Sequence, residues 1–153
     1  MLLRESSSFA DLAVIRLLFE EYGASLGVDL SFQNFETELA TLPGDYARPR
    51  GRLWIAMVER EAAGCVGLRP FDQSSCEMKR LYIRPIHRRQ GIGKHLALTA
   101  IETAKKIGYR RLYLDTLASM TEAIALYRTL GFEEIEPYRF NPLADAVFFQ
   151  LEL

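Results

Sequence analysis

The stretch from Glu77 to Gly108 constrains the fold more than any other part of the sequence. It begins with a short apolar run typical of a strand, and it then passes through a turn that contains Gly91 and Gly93. A long helical pattern follows, with apolar residues at three- and four-residue steps: Ile92, Leu96, Ala97, Ala100, Ile101, Ala104 and Ile107. Gly108 ends this helix. A strand that leads into an amphipathic helix predicts a chain that packs helices against a sheet.

The other elements fit the same architecture. A first helix is predicted by the apolar stripe Leu12, Ile15, Phe19, Tyr22 and Leu26, behind a capping box of Ser8 and Asp11. A short helix over about residues 32–42 places Phe32, Phe35 and Leu39 on one face. Strands are predicted at 53–58, 65–68, 77–83, 111–116, 132–135 and 147–153, the first three of them antiparallel. Ser119 and Glu122 form a second capping box, which opens a helix that Gly131 closes. The order predicts one mixed α/β (α+β) domain over residues 1–153, with a central sheet.

Composition excludes several classes of protein. The 19 Lys and Arg residues are balanced by 20 Asp and Glu residues, so the net charge of −1 gives no support for nucleic-acid binding. No apolar run approaches the roughly 20 residues of a membrane span, and the first residues do not resemble a secretory signal. Two cysteines exclude a disulfide framework or a Cys-rich zinc site. We therefore expect a cytoplasmic protein without a metal.

Charge is concentrated locally. Residues 78–101 contain no Asp or Glu, and they hold six basic residues: Lys79, Arg80, Arg84, Arg88, Arg89 and Lys94. A basic, glycine-containing turn at a helix N-terminus can bind an anion, because free backbone N–H groups point outward and the helix dipole favours negative charge. Glycine also lets a phosphate approach the backbone closely. The alternative is a helix start with a solvated basic face.

Two common phosphate motifs do not match this turn. The dinucleotide pattern G-x-G-x-x-G needs a third glycine where Leu96 stands, and the P-loop pattern fails on spacing. The remaining pattern, Arg88-x-x-Gly91-x-Gly93, resembles the acetyl-coenzyme A motif of the GCN5-related N-acetyltransferase (GNAT) superfamily. The segment from Ala123 to Phe132 is similar to that family's A-x-x-L-Y-x-x-x-G-F helix.

The resemblance implies a GNAT-like domain with a mixed, mostly antiparallel sheet flanked by helices, and acetyl-coenzyme A as co-substrate. It also implies roles for particular residues. The pantetheine arm would pair with the backbone of Leu81, Tyr82 and Ile83. The pyrophosphate would be held by the turn and its side chains: Arg88, Arg89, Gln90, Gly91, Ile92, Gly93 and Lys94. Ala123 and Met120 would lie beside the arm, with Met120 in a position where the family often has Asn.

The resemblance implies a mechanism of direct acetyl transfer to an amine. Glu77 would be the general base, directly or through water, and a backbone N–H near Leu81 would stabilise the oxyanion. Tyr127 would face the thioester sulfur and protonate the leaving thiolate. The alternative for Glu77 is a strand-end carboxylate in solvent, and for Tyr127 it is a core residue.

Other functions remain open at this point. A non-catalytic acyl-coenzyme A binding or sensing module would use the same turn, as would an enzyme with a longer acyl donor or a protein amine as acceptor. We expect a small-molecule amine rather than a protein, and the sequence leaves a homodimer open. The segments 137–142 and 43–52 are candidate walls of the acceptor pocket.

Overall fold

A computed structural model describes residues 1–31 and 34–153. The strands are β1 (Leu2–Glu5), β2 (Arg52–Val58), β3 (Glu61–Pro70), β4 (Ser75–Ile83), β5 (Arg111–Leu117), β6 (Glu133–Ile135) and β7 (Ala146–Glu152). The helices are α1 (Phe9–Leu26), α2 (Phe35–Ala40), α3 (Ile92–Ile107) and α4 (Thr121–Thr129). None of the helices within these described ranges is both long and apolar enough to cross a membrane.

All seven strands form one sheet in the order β1-β2-β3-β4-β5-β7-β6. Neighbouring strands are antiparallel except β4 and β5, which are parallel. This pair is short: Ser75 to Glu77 of β4 match Arg111 to Tyr113 of β5, and the ladder ends there although both strands continue. The two strands therefore separate in the middle of the sheet.

The helices cover both faces of the sheet. On one face, α3 and α4 bury a core that includes Leu96, Leu112, Tyr127 and Phe149. On the other face, α1 packs Ile15, Leu18 and Phe19 against β2 and β3. Side chains alternate along a strand, so successive β4 residues serve the two faces in turn. Cys76 and Met78 belong to the α3 core, and Glu77 and Lys79 point to the α1 face.

The sequence predicted most of these elements. The mixed α/β fold, the long helix from Ile92 to Ile107 and the cap of Ser8 on the amide of Asp11 are confirmed. Strand β1 was not predicted, and β3 is longer than expected. The capping box of Ser119 and Glu122 is wrong, because α4 starts one residue later with Met120 as its N-cap and without a side-chain cap. The helix predicted over about 32–42 is observed as α2, and its Phe32 lies outside the described residues.

An ion pair bridges the gap that opens between β4 and β5. Lys79 and Asp115 lie two residues beyond the last backbone-paired positions, and Lys79 Nζ is 3.1 Å from Asp115 Oδ1. Both side chains are at most 4% exposed. Burial lowers the pKa of Lys79 to about 8, so the ammonium is still mostly charged at pH 7. Burial alone would raise the pKa of Asp115, but Lys79 and Asn141 hold it below its usual value.

We expect Asp115→Leu to destabilise the fold strongly, because it leaves the buried Lys79 ammonium without its carboxylate. Removing one partner of a buried ion pair costs about 3–5 kcal/mol. The double variant Lys79→Met/Asp115→Leu should regain most of that loss, since both charges are gone. Urea unfolding of Asp115→Leu, Lys79→Met and the double variant measures the interaction energy between the two residues. Glu152→Leu, which breaks the exposed pair with Arg111, is the control and should change stability little. An Asp115→Leu protein as stable as the wild type would contradict this account.

Candidate active site

The space between the separated strands is a cleft that runs through the sheet. Its walls are the diverging halves of β4 and β5, and side chains from both faces close it. Tyr22 of α1 lies on one side, Tyr127 of α4 and Met120 lie on the other, and Asn141 enters from the segment between β6 and β7. The lining of the cleft thus comes from both faces of the sheet, as a site where two molecules meet between the strands would require.

The turn before α3 has the geometry of an anion site. Arg89 and Gly91 adopt left-handed backbone angles, with φ of 64° and 78°, and Gly91 is the N-cap of α3. Such a turn curls successive N–H groups around a concave space, and the first N–H groups of the helix add to them. No acidic residue occupies the first turn of α3. A Cβ at Gly93 would lie 3.7 Å from Leu126, an ordinary contact, so internal packing does not require glycine there.

The basic stretch divides between two sites. Arg88, Arg89 and Lys94 are exposed at the turn, where Arg88 Nε also donates to the carbonyl of Ile83 at 3.0 Å. Arg89 is 86% exposed, and its nearest carboxylate, Glu122, is 3.9 Å away. The other three basic side chains do not reach the turn but pair with acidic groups: Lys79 with Asp115, Arg80 with Glu38, and Arg84 with Glu21. These three residues therefore belong to ion pairs elsewhere in the fold and do not add to the charge of the turn.

Strand β4 carries a bulge where it borders the cleft. Its pairing with β3 skips from Lys79 opposite Gly67 to Tyr82 opposite Cys65, so Arg80 and Leu81 together oppose one residue. Arg80 has a φ of 59°, in the left-handed region. A bulge interrupts the regular ladder and increases the local twist of the strand, so β4 bends where it borders the cleft. Leu81, Tyr82 and Ile83 lie on the stretch of β4 that has parted from β5, as the predicted pairing with a pantetheine arm requires.

Tyr127 is buried beside the cleft. Its ring packs near Phe132 and Phe149, with centroid distances of 5.7 and 6.1 Å, and it contributes to the cleft wall. Burial raises the pKa of its phenol, and the negative charge of Asp115 acts in the same direction. The hydroxyl is therefore protonated throughout the neutral range. Ala123 and Leu126 are partly buried on the same helix, in agreement with the predicted inward face.

Glu77 is fully buried and does not face solvent. Its Oε1 accepts hydrogen bonds from Arg69 Nε at 3.1 Å and Arg139 Nη2 at 2.9 Å, and its Oε2 accepts one from the Tyr138 hydroxyl at 2.7 Å. These three partners come from β3 and from the segment between β6 and β7. They fix the orientation of the carboxylate.

The same face holds a second buried carboxylate, which the sequence analysis missed. Glu38 of α2 accepts two hydrogen bonds from Arg80, at 3.0 and 3.1 Å, and one from Arg69 at 3.3 Å. Burial would raise the pKa of Glu38, but Arg80 and Arg69 hold it below its usual value. The five residues Arg80, Glu38, Arg69, Glu77 and Arg139 thus form a chain of alternating charge, which we call the charge chain. No sequence signal could have found it, because its members come from four separate segments.

The structure also places the cysteines and the two segments predicted to form the acceptor pocket. Cys65 and Cys76 are buried free thiols, and burial raises the pKa of both. The segment 137–142 reaches the cleft through Asn141, its Tyr138 and Arg139 bind Glu77, and Phe140 is 77% exposed. The loop 43–52 contributes Tyr46, whose hydroxyl donates to Glu38 at 3.1 Å. Across residues 1–31 and 34–153, no three His, Cys, Asp or Glu residues gather where they could hold a metal ion.

Comparison with known proteins agrees with this geometry. The family model described as the acetyltransferase (GNAT) family matches residues 13–132. An N-acetyltransferase of Schizosaccharomyces pombe is 40% identical over 145 residues, which cover 94% of this chain and 89% of that protein. An N-acetyltransferase of Escherichia coli is 39% identical over 126 residues, which cover 80% of this chain and 74% of that protein. An acetyltransferase structure from Salmonella typhimurium, solved with its cofactor acetyl-CoA, has a TM-score of 0.75 at 19% identity and covers 99% of this chain and 93% of that chain.

The family match spans most of the chain, and it includes both the turn at Gly91 and the helix that carries Tyr127. The two relatives are aligned over most of their own length. The chain belongs to the GNAT family of acetyltransferases and is an N-acetyltransferase.

Proposed function

We propose that acetyl-CoA is the donor and that its acetyl group passes directly to a small-molecule amine in the cleft between β4 and β5. The observation that carries this proposal is the combination of a turn with the geometry of an anion site and a cleft lined from both faces of the sheet. Family membership and the acetyl-CoA bound by the Salmonella typhimurium fold neighbour support the choice of donor. The cleft allows the amine to approach from the α1 side while the donor occupies the α3 side.

The residues around the turn suit the donor. The N–H groups between Arg89 and Lys94 would bind the pyrophosphate, with the Arg88 and Arg89 side chains nearby. The free edge of β4 from Leu81 to Ile83 would pair with the amide groups of the pantetheine arm as an added strand. Met120 and Ala123 would contact the arm through apolar atoms.

The groups at the cleft and in the adjoining groove that Glu77 lines can carry out the transfer. The amine nitrogen attacks the thioester carbon as its proton passes, through a water, to Glu77. A backbone N–H near Leu81, beside the bulge in β4, stabilises the oxyanion. The carbon–sulfur bond then breaks, and Tyr127 donates its proton to the leaving thiolate. Burial raises the pKa of Tyr127, so the hydroxyl keeps its proton until negative charge builds on the sulfur.

Binding of coenzyme A should depend on the turn. Gly91→Glu places a carboxylate among the N–H groups that would hold the pyrophosphate, so affinity measured by calorimetry should fall steeply, by roughly 100-fold or more. Gly108→Glu is a matched control, because both glycines cap α3 in the left-handed region with open space around the missing Cβ. A carboxylate at position 108 lies at the C-terminus of α3, where the helix dipole disfavours negative charge. This control variant should nevertheless bind coenzyme A normally. Equal affinities in the two variants would place the site elsewhere.

Tyr127→Phe keeps the packed ring and removes only the hydroxyl. If that hydroxyl is the general acid, kcat should fall by roughly 100-fold with donor affinity nearly constant. Tyr109→Phe serves as the control, since it removes a hydroxyl from the same core, one that donates to the carbonyl of Arg50 at 2.8 Å. A folded Tyr127→Phe protein with full turnover would show that Tyr127 contributes to packing and is not the general acid.

Glu77→Gln should lower kcat/KM by roughly 100-fold or more, because the amide cannot accept the proton of the amine. Glu38→Gln tests whether the effect is chemical or structural, because it replaces the other carboxylate of the charge chain. We expect Glu38→Gln to keep most of the activity that Glu77→Gln loses. The same loss in both variants would mean that Glu77 only supports the network.

A further inference from the structure

The charge chain on the α1 face is not electrically balanced. It alternates Arg80, Glu38, Arg69, Glu77 and Arg139, so it begins and ends with an arginine. Three guanidinium groups and two carboxylates leave one positive charge in excess. Glu38, Glu77, Arg69 and Arg80 have side chains no more than 14% exposed, and Arg139 at 28% is the most exposed member. A partly desolvated positive charge is stabilised by an anion, and a ligand can supply it.

Arg139 carries more hydrogen-bond donors than its contact with Glu77 uses. A guanidinium group carries five N–H donors, and Arg139 uses one of them in its hydrogen bond to Glu77. Its Nε is buried and has no hydrogen-bond partner among the residues that the structure describes. The planar group lies over the rings of Phe71 and Tyr138, at 5.7 and 5.9 Å from their centroids. Stacking and the Glu77 contact hold it in place, as a preformed binding group requires.

The location fits a substrate that also reaches the acetyl group. Arg139 and Glu77 line an open groove on the α1 face, and Lys79 of the cleft lies two residues further along the same side of β4. Two residues of a strand span about 7 Å. Asn141 lies two positions after Arg139 and contacts Asp115 in the cleft, so one segment borders both places. A small molecule could therefore touch Arg139 with one group and place its amine in the cleft.

We propose that the acceptor carries a carboxylate close to its amine, as an amino acid does, and that Arg139 binds this carboxylate. The excess of one positive charge matches a singly charged carboxylate better than a doubly charged phosphate. The flat guanidinium edge can donate two parallel hydrogen bonds to it. Arg69 cannot take this role as readily, because it already pairs with both Glu38 and Glu77. The inference rests on the proposed amine acetylation, and it adds the class of acceptor.

Matched pairs of acceptors test the proposal. Amino acids with aliphatic, aromatic and polar side chains are each assayed beside their carboxamides, with acetyl-CoA as donor and thiol release as the readout. A carboxamide keeps the shape and the amine but loses the charge, and rates are compared per neutral amine. We expect kcat/KM to favour the carboxylate by roughly tenfold or more for the best pair, the usual scale of a charged hydrogen bond.

Variants of Arg139 show whether this residue makes the distinction. Arg139→Gln should bring the carboxylate-to-carboxamide ratio close to one, mainly by raising KM for the carboxylate. Arg139→Lys keeps the charge without the planar fork and should retain part of the preference. Arg111→Gln removes an exposed, ion-paired arginine at the start of β5, where it binds Glu152, and should leave the ratio unchanged.

The outcomes separate this inference from the proposed function. Equal rates with both members of every pair would overturn the carboxylate site and leave amine acetylation intact. A preference that survives in a folded Arg139→Gln protein would also overturn the assignment to Arg139. No thiol release with any amine would overturn the proposed function, and the carboxylate site with it.

Discussion

The separation of β4 from β5 after Glu77 is the constraint on which the rest of the structure depends. In an unbroken sheet each backbone N–H and C=O of these strands would have a partner, and no ligand could enter. Here the ladder stops after three residue pairs, and the strands continue on either side of a gap. The freed strand edge offers the donor a place to pair. The gap brings the two faces of the sheet into contact, as a direct transfer between two substrates requires.

Side chains hold the two strands apart, and side chains also shield the gap between them from bulk water. Lys79 and Asp115 connect the strands where the backbone no longer does, at a spacing that leaves room between them. Beyond them, the charge chain ties α2, β3, β4 and the segment after β6 together on the acceptor face. Buried ion pairs add little net stability compared with apolar packing, but they fix geometry because unpaired charges are costly. We infer that this network positions Glu77 and Arg139 more than it stabilises the fold.

Sequence reasoning succeeded where the determining interactions are local. Helix α3 was predicted to the residue because its apolar period and Gly108 lie in one continuous segment. The fold and the turn at Gly91 followed from motifs of the same kind. The reasoning failed where partners are distant along the chain. Glu38 and Arg80 are 42 residues apart, and Arg139 is 62 residues from Glu77. Arg80 belongs to the same basic run as the turn, but a run of charge shows its sign and not the direction of each side chain.

This division also separates donor recognition from acceptor recognition. The proposed donor site uses backbone groups of one turn and one strand edge, so a short motif is enough to identify it. The proposed acceptor site is built from side chains of several elements and includes Arg139, a residue between β6 and β7 that lies outside the regular secondary structure. A change there would alter the charge offered to the acceptor without moving β4, β5 or the turn before α3. Acceptor choice can therefore differ between chains that share the same donor site, and it has to be determined from the three-dimensional arrangement of each one.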